Sequence, residues 1–317
     1  MKNKQSTDTV LMIEPVAFGF NEETAKDNFF QTNDSISPEA IQKKAVGEFK
    51  AMVKKLQKHG IKVIEVKDTP EPHTPDSIFP NNWISFHQDG KVALYPMYAH
   101  NRRKERREDI LDIIEQEGFY IDEIIDFTQA EKDNIFLEGT GSMVLDRAGQ
   151  IAYATVSERT DEELFIEFCE DFEYTPIIFH ATQKIENKEY PVYHTNVMMS
   201  ISENFAIICL ESIRNPKERK LVSDFLHATK KEIITISEEQ MNRFLGNTLQ
   251  VQTEDHNKFL VMSNTAYQSL CAGQINAINR YSKILTVDIP TIEKYGGGSA
   301  RCMMAEVFLQ KTENRMP

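Results

Sequence analysis

Short apolar runs alternate with longer amphipathic ones along this chain, and their order repeats. Trp83-Ile84-Ser85-Phe86 and Val92-Ala93-Leu94-Tyr95 flank a turn at Asp89-Gly90, which predicts a hairpin. Ile110, Leu111, Ile113 and Ile114 follow at helical spacing, then Gly118 and a strand-like run from Ile121 to Phe127. The same order recurs from Gly141: Ser142 to Leu145, a turn at Ala148-Gly149, Ile151 to Ala154, a helix through Glu162 to Phe168, and Thr175 to Phe179. It recurs from Asn196, with Val197 to Ile201, Phe205 to Leu210, a helix from Pro216 to His227, and Glu232 to Ile236. A fourth copy runs through Leu249 to Gln252, Phe259 to Met262, a helix near Ile275 to Tyr281, and Ile284 to Val287.

These openings lie about 55 residues apart, the signature of a repeat-built fold. A looser first copy fits Val10 to Pro15, a helix from Pro38 to His59, and Ile61 to Val66, its missing strand supplied by Met303 to Leu309. The pattern predicts an α/β fold of about five ββαβ units. Residues 1–317 would form a single domain whose C-terminal strand closes the first unit. A plain doubly wound sheet is the alternative arrangement.

Composition narrows the class. The 40% hydrophobic fraction is enough for a sizeable core, and the formal charge of −13 argues against a nucleic-acid or anionic-membrane partner. No apolar run reaches the ~20 residues of a membrane span. The first residues lead into no signal-like apolar region, and the four cysteines form no Cys-x-x-Cys pair, so a cytoplasmic location is expected. No zinc-ligand spacing, dinucleotide fingerprint or phosphate loop is present, and no cofactor or metal is expected.

The chemistry concentrates just before each first strand. These positions carry Asp76 to Asn82, Glu138-Gly139, His194-Thr195-Asn196, Gly246-Asn247 and Arg301-Cys302. Rotation of the units about one axis would bring a carboxylate, an imidazole and a thiol together, the parts of nucleophilic catalysis. Cys302 follows Gly296-Gly297-Gly298 and sits beside Arg301, a cation that would favour the thiolate. Cys169, Cys209 and Cys271 lie in largely apolar surroundings and read as core residues.

Taken in order, several segments resemble the pentein, or guanidino-group-modifying, superfamily. They are Pro75 to Phe79, Asn101 to Glu105, Leu137 to Gly139, Ser157 to Thr160, His194 and Gly297 to Met303. The chain looks most like the bacterial citrulline-utilisation hydrolase type, often labelled amidinotransferase. The resemblance implies a five-bladed α/β propeller. It makes Cys302 the nucleophile, His194 the general acid/base and Glu138 the carboxylate that grips substrate nitrogens. Asp76 matches the substrate loop, and Arg102 and Arg159 match arginines that hold an amino acid's carboxylate. Asn82 and Asn196 stand where arginine deiminases carry aspartate. Amides offer both acceptor and donors, which suits a neutral ureido group, so citrulline is the expected substrate, cleaved to ornithine, ammonia and carbon dioxide. The alternatives are an arginine deiminase or dimethylarginine hydrolase, an amidinotransferase, or a non-catalytic ring that only binds. The partner is a free amino acid; a homodimer and a lid at Gln31 to Ser37 stay open.

Overall fold

The computed structural model describes residues 3–34, 36–186 and 188–314. In chain order, β1 (Thr9–Glu14) and β2 (Lys62–Lys67) flank a helix over Pro38–Lys58. β3 (Ile84–Phe86), β4 (Lys91–Leu94) and β5 (Glu123–Asp126) carry the helix Asp109–Gln116 between the last two. β6 (Met143–Asp146), β7 (Ile151–Thr155) and β8 (Thr175–Phe179) enclose the helix Glu162–Asp171. A hairpin of β9 (Thr182–Ile185) and β10 (Lys188–Pro191) leads into β11 (Met199–Ile201), β12 (Phe205–Ile208), the helix Pro216–Ala228 and β13 (Glu232–Thr235). β14 (Leu249–Gln252), β15 (Lys258–Ser263), the helix Ala272–Asn279, β16 (Lys283–Val287) and the two-residue β17 (Ala305–Glu306) complete the chain.

The fold is mixed α/β, with five three-stranded sheets of one topology. In each, the first strand pairs antiparallel with the middle one, and the middle one pairs parallel with the third, as in β3-β4-β5 and β6-β7-β8. The first sheet reads β17-β1-β2: Val10 pairs with Glu306 and Leu11 with Ala305, antiparallel, so the two ends of the chain share a sheet.

Local chemistry explains the elements. Pro38 sits in the first turn of the first helix, the Ser37 side chain accepts from the Ala40 N–H, and lysines occupy the last turn. Its Ile41, Ala45, Phe49, Met52 and Leu56 form the buried stripe. Asp161 caps Glu162–Asp171 in the same way, accepting from the Leu164 N–H at 3.0 Å. No helix among the described residues is long and apolar enough to cross a membrane.

Several boundaries differ from the expected ones, each for a local reason. Val197 and Met198 belong to a helical turn, Thr195–Met198, held by the Thr195 hydroxyl, which donates to the Ser142 carbonyl and accepts from the Thr155 N–H. The strand expected over Met303 to Leu309 shrinks to β17, because Cys302 and Met304 donate backward to Ser299 and Arg301 in consecutive turns. The β9–β10 hairpin and a helix at Asn264–Ser269 escaped the pattern, the first being too polar to show strand alternation and the second too short to show a period.

Candidate active site

Short turns precede the first strands and deliver the site residues. Pro80–Asn82, Gly139–Ser142 and Thr195–Met198 are single helical turns immediately before or one residue before β3, β6 and β11. Gly139 has φ +47, and a Cβ there would lie 2.5 Å from the Asn81 carbonyl oxygen, so only glycine lets the two turns touch. Gly297 has φ +64, and a Cβ would lie 2.5 Å from Asn28 Nδ2. That close approach clamps the loop before Cys302 against the segment around Asn28.

Asp76, Asn82, Arg102, Arg159, His194 and Cys302 line one cleft. Glu138 and Asn196 join them through direct contacts. Glu138 Oε2 accepts from His194 Nε2 at 2.7 Å and from Arg159 Nη1 at 3.4 Å, and its Oε1 accepts from the Tyr98 N–H at 2.9 Å. Burial alone would raise the Glu138 carboxyl; Arg159 and the His194 hydrogen bond overcome that and hold it well below the usual range. Burial lowers His194, against the opposing pull of Glu138. With Nε2 bound to an ionised carboxylate, Nδ1 is the nitrogen left to accept or give a proton. It sits against Gly141, where a Cβ would come 2.8 Å from Nδ1 and 2.3 Å from Asn82 Nδ2.

Cys302 is 5% exposed. Asn247 Nδ2 lies 3.1 Å from its sulfur and Asn196 Nδ2 3.5 Å. The beside-the-thiol role of Arg301 requires correction: its guanidinium donates to Glu306 at 3.0 Å and to the Met304 carbonyl, so its charge is spent there. Two amide donors face the sulfur instead. Cys169 and Cys209 are buried with their thiols pushed up to about 12 and about 11. Cys271 is exposed, contrary to its expected core placement.

Both candidate carboxylate-binding arginines are buried and already engaged. Arg102 grips Glu105 through Nε and Nη2 at 2.9 Å each, and its Nη1 donates to Asn82 Oδ1 at 2.9 Å. Arg159 donates to Asp27 through Nε at 2.7 Å and Nη2 at 2.5 Å, and its guanidinium lies 5.1 Å from the centre of the Tyr193 ring. Asp76 Oδ2 accepts from Asn21 at 2.7 Å and Thr24 at 3.1 Å. Burial raises Asp76, with Arg102 opposing.

Asn21, Thr24 and Asp27 belong to a stretch that sequence reasoning passed over. It crosses the cleft and is pinned on the far side, where Gln31 Nε2 donates to the Gly296 carbonyl at 3.0 Å. The covering segment is therefore Asn21 to Gln31 rather than Gln31 to Ser37, of which Ser35 lies outside the described residues. Beneath it the free volume is about 20 Å³, room for one water and far below that of an amino-acid site. Substrate entry requires the segment to lift. Among the described residues no cluster suits a metal ion.

Among the described residues, Asp76 Oδ1 and Asn82 Nδ2 in this cleft, and Asn196 Oδ1 and Asn247 Oδ1 of the two amides beside the Cys302 sulfur, are buried without a hydrogen-bond partner.

The fold matches that of ArgZ, an arginine dihydrolase from the ornithine-ammonia cycle in cyanobacteria, with a TM-score of 0.72 at 17% identity over 96% of this chain and 41% of that one. It matches AgrE, solved with ornithine and NAD+, with a TM-score of 0.70 at 18% identity over 95% of this chain and 39% of that one. A third match is a histidine-to-glycine dimethylarginine dimethylaminohydrolase in adduct with S-methyl-L-thiocitrulline, with a TM-score of 0.59 at 15% identity over 94% and 98% of the two chains. The chain thus spans about two-fifths of ArgZ and AgrE. Comparison with curated protein sequences finds no match. The model of the eukaryotic N,N-dimethylarginine dimethylhydrolase family matches residues 14–309. The chain belongs to that family, within the pentein superfamily.

Proposed function

We propose that the protein is a cysteine hydrolase acting on the guanidino carbon of a free amino acid, arginine or an N-methylated arginine. The observation that carries this reading is that buried acceptors near Cys302, Asp76 Oδ1, Asn196 Oδ1 and Asn247 Oδ1, have no hydrogen-bond partner among the described residues. A guanidinium has five N–H donors and no acceptor, so it satisfies such a ring, and ionised Glu138 beneath it compensates its charge. The dimethylarginine and arginine hydrolases among the structural neighbours lean the same way. The citrulline reading keeps one observation, Asn82 Nδ2, a donor that could hold a ureido oxygen.

In the proposed reaction the Cys302 sulfur adds to the guanidino carbon as its proton passes to His194. His194 returns that proton to the departing ammonia or dimethylamine, and the C–N bond breaks to leave an S-linked amidine. Water, giving its proton to His194, adds to that carbon and expels the thiol, leaving a ureido amino acid. Net, one water is consumed and one amine released.

The five sheets, with β17 beside β3 and β11 beside both β6 and β14, support a five-bladed ring closed by the C-terminal strand as one domain. Four free thiols suit a reducing, cytoplasmic setting. Mass spectrometry of products from arginine, asymmetric dimethylarginine and citrulline, incubated separately, tests the reading. Citrulline appearing from either guanidino substrate supports it; turnover of citrulline alone overturns it.

A further inference from the structure

Arg147 directly follows β6, at the opposite end of that strand from Ser142 and Glu138. It is 5% exposed. The other three buried arginines each have a carboxylate within salt-bridge reach: Arg102 with Glu105, Arg159 with Asp27 and Glu138, Arg301 with Glu306. Among the described residues Arg147 has none. Its sequence neighbour Asp146 is taken by Lys231 at 3.1 Å. The contacts Arg147 does make are neutral ones. Its guanidinium lies 4.1 Å from the centre of the Phe308 ring, Nη1 is 3.5 Å from His87 Nδ1, and Tyr174 lines the same cavity as Arg147. Burial, and then the Arg147 charge, keep His87 well below its ordinary range, so it stands as a neutral acceptor.

A buried cation with only neutral neighbours is costly, and an anion relieves it. A cavity of about 380 Å³ opens onto this guanidinium, within the range of small-molecule sites, and shares no lining residue with the cleft over Cys302. It lies at the other end of the strands that carry the active site: His87 follows β3 as Arg147 follows β6. Lys4 adds a second cation at its edge. Asp89 and Glu173 also border it, both exposed, and they disfavour a polyanion while leaving room for one anionic group against Arg147.

We propose that this cavity binds a small metabolite through an oxyanion group, a carboxylate or a phosphate, held by the Arg147 fork with Lys4 at the rim. Phosphate and carboxylate share the geometry, so each is titrated separately: inorganic phosphate and acetate into the full chain, followed by calorimetry in chloride-free buffer. Saturable binding of either is expected. The dissociation constant should rise tenfold or more in Arg147→Gln and several-fold in Lys4→Glu, a rim change with no packing role. It should stay unchanged in Arg159→Gln, which alters the active site. Should Arg147→Gln fail to fold, Lys4→Glu and Arg159→Gln carry the comparison. Binding of neither probe, binding indifferent to Lys4→Glu and Arg147→Gln, or binding lost in Arg159→Gln instead would overturn the assignment.

Discussion

Replacing Asn196 by aspartate puts a carboxylate where an amide nitrogen now stands 3.5 Å from the Cys302 sulfur. Both side chains are 5% exposed or less, so solvent screens the pair little. Two like charges at this separation repel by about 4–5 kcal/mol at an effective dielectric near 20. With about 1.4 kcal/mol per pH unit, thiolate formation moves up by roughly three units, or nearer two if the new carboxyl takes up part of the strain by binding a proton. The assay is the rate of Cys302 carboxamidomethylation by iodoacetamide against pH, followed by peptide mass spectrometry. Asn82→Asp is the control. Its Oδ1 position already accepts from Arg102, so a carboxylate there meets a cation, and the midpoint should move little. Identical midpoints in wild type and Asn196→Asp, or equal movement in Asn82→Asp, would refute the reasoning. The two amides are therefore not equivalent: only the Asn82 position can take a carboxylate and gain for a guanidinium without opposing the nucleophile.

Cys302→Ser should abolish turnover while leaving substrate binding measurable by calorimetry; in the native protein Cys271 should be alkylated first, Cys302 next, and Cys169 and Cys209 last. Gly141→Ala forces a methyl into His194 Nδ1 and Asn82 Nδ2 and should lower kcat by about a hundredfold or more, in line with loss of general acid–base catalysis, with a smaller change in KM. His87 is neutral when folded but takes up a proton near its ordinary value of 6.5 when unfolded, so the stability it contributes is lost as pH falls; the Tm advantage of wild type over His87→Gln should shrink from pH 7 to pH 5.

Most of the scaffold was legible because each middle strand is apolar and each outer helix amphipathic, patterns that survive without neighbours. The site residues were legible because repetition puts them at one phase, just before the first strands. Asn247 stood at that phase too, in Gly246-Asn247, and was passed over because a neutral amide carries no charge signal; only its 3.1 Å approach to the sulfur reveals it. The covering segment was illegible for another reason. Asn21, Thr24 and Asp27 have no period, and their partners Asp76 and Arg159 lie 52 to 132 residues away. Arg301 misled because proximity in sequence to Cys302 says nothing of direction, and its guanidinium turns toward Glu306.

Asp27 occupies on Arg159 the place the family resemblance gives to a substrate carboxylate, which makes the covering segment a competitor. Charge-assisted hydrogen bonds are worth about 1.5–3 kcal/mol. Asp27 is 21% exposed, and Arg159 keeps Glu138 and the Thr24 carbonyl when it leaves. The net cost of displacing it is therefore nearer 1–2 kcal/mol, a factor of about five to thirty in affinity. Asp27→Ala should lower KM for arginine by that factor. For the decarboxylated analogue KM should fall at least as much, since the segment must lift for it too and nothing replaces Asp27 on Arg159. Arg159→Ala should do the reverse, raising KM for arginine and sparing the analogue. If Asp27→Ala raises KM for arginine instead, the aspartate holds the substrate's ammonium rather than standing in for its carboxylate. Equal effects of Arg159→Ala on both substrates would remove Arg159 from carboxylate recognition.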